Sequence, residues 1–299
     1  TEQWTRDLPV SAERGTIKDR NGAALAISYT TYDIYVRGRE VKDVNNTSKV
    51  LSDTLGLDYM KTFEKVSNVN ISEVLIKMQV EKETAIKIYN SGLSGVYLSE
   101  SNSRYYPYGN LMTQLIGFTT IDNVGQAGLE AYYNDILKGV PGYSLVQSDL
   151  QGKQIYNSLT SYVPSVAGFN IEMTIDVNIQ LAVERTLEKL MIEQKAKGAT
   201  AIVMDPNTGE ILALSSKPSF DLNDVPRDDV TSLMEMMKNQ AIVSVYEPGS
   251  TFKILTMASA ISAGVAHLTD HFYCPGYNIV DGQKIKCWKS VGHGSEDLT

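Results

Sequence analysis

Polarity alternates residue by residue through Thr31-Tyr32-Asp33-Ile34-Tyr35-Val36, the period-two mark of a half-buried strand. Residues 14–21 read as a strand closed by an Asn21-Gly22 turn, with 23–28 as the returning strand. The apolar spacing that follows predicts helices over 48–57, 72–78 and 82–90, the last halted at Gly92. Val96-Tyr97-Leu98 reads as a strand and 104–109 as an aromatic turn. There Tyr105, Tyr106 and Tyr108 flank Pro107, an arrangement better suited to a packed corner than to gripping a sugar strand or a partner. A helix opens at Gly128-Leu129-Glu130 and runs to Leu137, stopped by Gly139 and Pro141-Gly142.

Ser, Thr, Pro and Gly gather over 158–170, and a domain boundary is placed near Val166, dividing 1–165 from 166–299. Beyond it Asp176 caps a long helix that reaches about Lys197 and ends at Gly198. Residues 200–204 and 210–215 form a hairpin through Asp205-Pro206-Asn207-Thr208-Gly209. A loop over 217–226 and a helix over 231–239 follow. The first half mixes strands and helices, and the chain as a whole is expected to be α+β.

One segment breaks the amphipathic habit. From Ser250 to Gly264 nearly every residue is apolar or small, and Lys253 is the only charge. A helix apolar on most faces is expected to be buried, and a lysine is seldom buried unless it is paired or does chemistry. Pro248-Gly249 releases the chain into this helix, so Ser250 and Lys253 share its first turn, about 5–6 Å apart at Cβ. A serine hydroxyl needs a base beside it to act as a nucleophile. Burial and the positive end of the helix dipole both disfavour the charged amine and so make it a base. The same backbone N–H groups can face an oxyanion. A chain of this length holds roughly one or two S-x-x-K matches by chance. Position singles out this one; the competing reading is an N-terminal serine with a lysine snorkelling to water.

Composition changes the picture only by exclusion. The net charge of −8 argues against nucleic acid or an anionic membrane surface as partner. No apolar run approaches the ~18 residues of a membrane span. Two cysteines are too few for a disulfide scaffold.

They lie in a pattern, however, of Cys274-x12-Cys287-x5-His293. Asp281-Gly282 reads as a two-residue hairpin turn, which sets Val280 opposite Gln283 and Cys287 opposite Gly276. Cys274 then falls on the face of Cys287 as a diagonal neighbour, long for a disulfide and within reach of a shared metal. His293, in the turn Gly292-His293-Gly294, can fold back to make a third ligand of a structural zinc. A disulfide, and plain buried thiols, stay open as alternatives. His267 and His271 are assigned no function, and Asp221, Asp224, Asp228 and Asp229 lack metal-loop spacing.

Several blocks together resemble a class B penicillin-binding protein, a bacterial peptidoglycan D,D-transpeptidase. Residues 14–22, Arg-Gly-Thr-Ile-Lys-Asp-Arg-Asn-Gly, are similar to the opening motif of that family's N-terminal pedestal, a dimerisation-type domain. Gly125-Gln126-Ala127-Gly128-Leu129-Glu130 with Tyr133, Leu137 and Gly139 resembles the pedestal's last block. Met173-Thr174-Ile175-Asp176 with Gln180 resembles the entry to the transpeptidase domain, and 205–213 its first hairpin. Glu247-Pro248-Gly249-Ser250-Thr251-Phe252-Lys253 matches the active-site box closely, and the wording around Cys274 to His293 suggests a sporulation-type member.

The resemblance implies a mixed α/β pedestal followed by a truncated transpeptidase domain, an antiparallel sheet with helices on both faces. It implies that Ser250 attacks D-Ala-D-Ala stem peptides, that Lys253 takes its proton, that β-lactams acylate the same serine, and that catalysis needs no cofactor. Some members carry a zinc near the active site at this kind of spacing. The family's S-x-N and K-[TS]-G boxes lie downstream of S-x-x-K, and neither follows Ser250 before Thr299. The expectation is therefore that 1–299 alone neither cross-links stems nor holds penicillin. The resemblance also implies an anchor helix before Gln3-Trp4, a place on the outer face of the bacterial cell membrane, and a membrane glycosyltransferase as partner of the pedestal. The rival readings are a β-lactam-hydrolysing or sensing relative, and a cell-wall scaffold in which catalysis is secondary.

Overall fold

A computed structural model describes residues 4–148 and 154–297. Residues 1–3, at the start of the region that the resemblance places just after a membrane anchor, lie outside the described residues. The chain divides into two compact units, Thr1–Ser244 and Val245–Thr299.

The first unit opens with β1 (Trp4–Val10), the short β2 (Ile17–Lys18) and the long β3 (Ala24–Val36). The segments 23–28 and 31–36, expected as two strands, are one. β3 can be continuous because its two ends serve different neighbours, Leu25 and Ala26 in one core and Ile34 and Val36 in another. Helices α1 (Val44–Leu55) and α2 (Tyr59–Val66) follow, each capped by an aspartate, Asp43 and Asp58, whose carboxylate accepts a backbone N–H of the first turn. Then come β4 (Val74–Val80), α3 (Lys82–Asn90) and β5 (Val96–Tyr105).

The helix expected over 72–78 is instead β4. It pairs antiparallel with β3 from Val36↔Val74 to Tyr32↔Val80, and β5 lines the other side of β3 from Val36↔Val96 to Ile27↔Tyr105. Leu75-Ile76 suits either state; a waiting sheet edge and the burial of Ile76 against Leu51, Val66 and Ile88 decide for the strand.

Next stand α4 (Thr113–Ile116), α5 (Gly128–Tyr132) and α6 (Asn134–Leu137), the last two splitting at Tyr133 the single helix expected over 128–137. β6 (Gly142–Ser148) and β7 (Gln154–Val163) close a three-stranded antiparallel sheet with β1. β8 (Ile171–Glu172) returns beside β2 in parallel. α7 (Val177–Gln194) starts where Asp176 accepts the N–H groups of Asn178 and Ile179, and ends at Lys195 in the left-handed region, before Gly198. The hairpin of β9 (Ala199–Met204) and β10 (Ile211–Lys217) packs on it, and α8 (Val230–Met236) and α9 (Gln240–Val243) complete the unit.

The larger core joins both sides of Val166: Ile17, Leu25, Tyr106, Ile116 and Leu137 meet Ile175, Val177, Leu214, Phe220 and Leu233. Polar ties bind the same region. Asp19, fully buried, accepts the N–H groups of Asn21, Ala23 and Val177, so the turn after β2 holds the start of α7. Gly15 is needed there, because a Cβ would sit 1.9 Å from the Phe169 carbonyl oxygen.

The second unit contains α10 (Phe252–Ser262), β11 (His271–Cys274), β12 (Tyr277–Val280), β13 (Gln283–Lys286) and β14 (Gly294–Asp297). β12 pairs with β13 and β11 with β14. Mixed α and β elements with antiparallel pairing agree with the α+β expectation.

Candidate functional site

Gly249, at φ +54°, turns the chain into a short 3-10 helix over Gly249–Thr251 that runs on into α10. The Pro248 carbonyl accepts both the Thr251 N–H at 3.2 Å and its hydroxyl at 2.6 Å, fastening this entrance. Ser250, in the 3-10 turn, and Lys253, in the first turn of α10, therefore stand three residues apart at the helix entrance. Their hydroxyl and amine are not hydrogen-bonded to each other. The expected burial of the helix is not found: no residue of α10 is buried, and Phe252, Ile254 and Leu255 are 54–73% exposed. Lys253 is exposed as well. A helix apolar all round calls for cover on every side, and its own unit only half-buries Met257 and Ala260.

The cysteine pattern is assembled closely. In the β12–β13 hairpin Val280 faces Gln283, and the Cys287 N–H donates to the Gly276 carbonyl at 2.9 Å, the register expected from the Asp281-Gly282 turn. β14 brings Gly294 opposite Cys274, which places His293 where the β11–β14 pair meets the end of the β12–β13 hairpin. The ligand atoms of Cys274, Cys287 and His293 lie within 4.8 Å of one another, and Cys287 Sγ is 3.4 Å from His293 Nδ1. Gly292 makes this approach possible, since a Cβ there would meet the Cys274 carbonyl oxygen at 2.3 Å. Hydrogen bonds from the side chain and backbone of His293, and from Gly276, bring the Cys274 thiol down from 9.0 to about 7. Both cysteines are free thiols. Two soft sulfurs and an imidazole this close together supply three of the four ligands a structural zinc takes.

Sequence reasoning missed the charged groups inside the first unit. Glu130, fully buried, takes Arg14 Nε on one oxygen at 2.6 Å and Arg104 Nε on the other at 2.7 Å. Arg14 also reaches Asn134 and the carbonyls of Asn123 and Glu130, and Arg104 reaches the Gly15 carbonyl. Lys217 lies between Glu184 at 2.5 Å and Glu188 at 2.8 Å; burial opposes its charge, and the two carboxylates outweigh it, keeping the ammonium above its ordinary value. The available signal was the setting of Arg14, Arg104 and Glu130 among glycines and aromatics, where a solvated charge has no use. Of the aromatic turn, Tyr106 is in the core, as a packed corner requires, while Tyr105 stays exposed, edge-on to Tyr29.

The fold and these motifs define a class. Residues 9–173 match the penicillin-binding protein dimerisation domain and residues 199–299 the penicillin-binding protein transpeptidase domain. The chain belongs to the class B penicillin-binding proteins. It is 37% identical over 296 residues to Stage V sporulation protein D of Bacillus subtilis, covering 98% of this chain and 45% of that protein. It is 34% identical over 279 residues to the probable peptidoglycan D,D-transpeptidase PenA of Neisseria meningitidis, covering 92% and 47%. The crystal structure of a peptidoglycan synthetase from Bifidobacterium adolescentis superposes with a TM-score of 0.68 at 27% identity, over 99% of this chain and 57% of that one. The chain thus spans about half the length of the curated relatives it matches.

Proposed function

We propose that the protein to which this chain belongs is a serine D,D-transpeptidase of peptidoglycan. The observation that carries the reading is the placement of Ser250 and Lys253, the one S-x-x-K of the sequence, at the head of α10 within the stretch that matches the transpeptidase domain. The Ser250 oxygen attacks the carbonyl carbon joining the two terminal D-alanines of a stem peptide, and its proton passes to the Lys253 amine. The carbon–nitrogen bond breaks, the departing D-alanine amine collects that proton, and an ester on Ser250 remains. The amine of a second stem attacks the ester, a new amide forms, and Ser250 recovers a proton. N–H groups of the first turn stabilise the oxyanion in both halves. A β-lactam, opened by the same attack, leaves a slowly cleaved ester.

Lys253 can serve as base only when desolvated, and α10 lacks cover in its own unit, so residues 1–299 alone are inert in this reading. The pedestal engages a membrane glycosyltransferase, and the enzyme works on the outer face of the bacterial membrane. Among the described residues no helix is long and apolar enough to cross a membrane. Cys274, Cys287 and His293 would hold a structural zinc, which when bound would tie the β12–β13 hairpin to the β11–β14 pair and take no part in acyl transfer.

Two measurements test this. Fluorescent penicillin labels the full-length protein and fails to label its Ser250→Ala variant; surviving label, or rapid turnover of the drug instead of a lasting adduct, defeats the transpeptidase reading. Elemental analysis finds about one zinc per chain, lost in Cys274→Ser/Cys287→Ser; a well-folded, metal-free wild type rejects the zinc.

A further inference from the structure

Two hydroxyls stand side by side at the entrance to α10, and they are engaged differently. The Thr251 hydroxyl donates its single proton to the Pro248 carbonyl at 2.6 Å. The Ser250 hydroxyl makes no hydrogen bond to a described residue. We propose that Thr251 is a positioning residue for the nucleophile, its hydroxyl holding the turn that carries Ser250. The proposal rests on the acyl-transfer reading and adds to it a residue that touches neither the substrate nor the transferred proton.

The turn needs such a tie because its own backbone gives little. Gly249 precedes the nucleophile at φ +54°, and a Cβ there would meet nothing within 4 Å. Glycine has the widest conformational freedom of any residue, and nothing packs against it on that side. Two 3-10 bonds cross the segment, from the Thr251 N–H to Pro248 at 3.2 Å and from the Phe252 N–H to Gly249. Bonds of this kind have poorer geometry than those of an α-helix. The side-chain bond closes a further ring over Gly249 and Ser250, and it is the shorter of the two that Pro248 accepts. A carbonyl oxygen has two lone pairs, so both fit.

Thr251 and Phe252 have helical φ and ψ, −67° and −25°, then −66° and −20°, so the turn runs unbroken into the helix that bears Lys253. A turn held still therefore fixes the backbone of Ser250 relative to that of Lys253. Attack on a carbonyl tolerates little error, since a misplacement of about 1 Å can cost about a hundredfold in rate. β-Branching suits Thr251 to this task, because it restricts χ1 and lets the hydroxyl reach a carbonyl three or four residues back. Valine has the same shape without the proton to donate.

The test labels the full-length protein with fluorescent penicillin and separates the half-saturating concentration from the limiting rate. Thr251→Val and Thr251→Ala, which lack the hydroxyl, should lower the limiting rate about three- to tenfold and leave the half-saturating concentration within about twofold. Thr251→Ser, which keeps it, should react within about twofold of wild type. Thr251 is exposed, so all four proteins should melt together. A valine variant as fast as wild type, a serine variant as slow as valine, or a change confined to the half-saturating concentration would overturn the proposal. So would a valine variant that melts well below the serine one, which would make the loss one of folding. A wild type that takes no label overturns the acyl-transfer reading and this one with it; a labelled wild type with an unaffected valine variant overturns this one alone.

Discussion

At the scale of single residues, the molecule depends on charges placed where water is absent. Glu130 satisfies two guanidinium groups with its two oxygens, each pair almost wholly enclosed. Removing one member of such a set strands the others: Glu130→Ala should cost about 3–5 kcal/mol in chemical denaturation, far more than an exposed pair such as Asp135–Lys138. Asp176 gives a pH-dependent case. Its hydrogen bond from Asn21, with the N–H groups of Asn178 and Ile179, holds its carboxyl below the ordinary 3.8. A depressed folded value means stabilisation that is present above the unfolded value and lost as pH falls through the folded one. Asp176→Ala should therefore lower the melting temperature at neutral pH, and the gap from wild type should close below about pH 3.8, tracked by circular dichroism.

Among the elements, caps and turns were legible and strand-or-helix choices were less so. Asp176 and the Asp281-Gly282 turn announce themselves because their chemistry is local: a carboxylate reaches N–H groups two or three residues on, and glycine accepts a positive φ. Val74–Val80 did not, because its state is set by β3, which lies far from it in sequence. α10 is the opposite case, a helix whose existence was legible and whose cover was not supplied. Helical amides without buried side chains open easily. Hydrogen exchange in the 1–299 chain should thus be faster over Phe252–Ser262 than over Val44–Leu55, where Leu51 and Leu55 are buried. Equal protection would show that α10 is covered after all.

Across the whole molecule, the proposed nucleophile and metal ligands lie in the second unit, whereas most of the buried surface lies in the first. Ser250, Lys253 and the cysteine pattern could be read from the chain because each is a short-range arrangement: one helical turn, or one hairpin with its neighbouring strand. Spacing along the backbone translates almost directly into spacing in three dimensions at that range. The buried Arg14–Glu130–Arg104 cluster and the Asp19 tie to α7 could not. Their partners lie up to 158 residues apart. Nothing in a residue's immediate neighbours tells which distant group will meet its charge once water is excluded. That pairing exists only after the sheets and helices have packed.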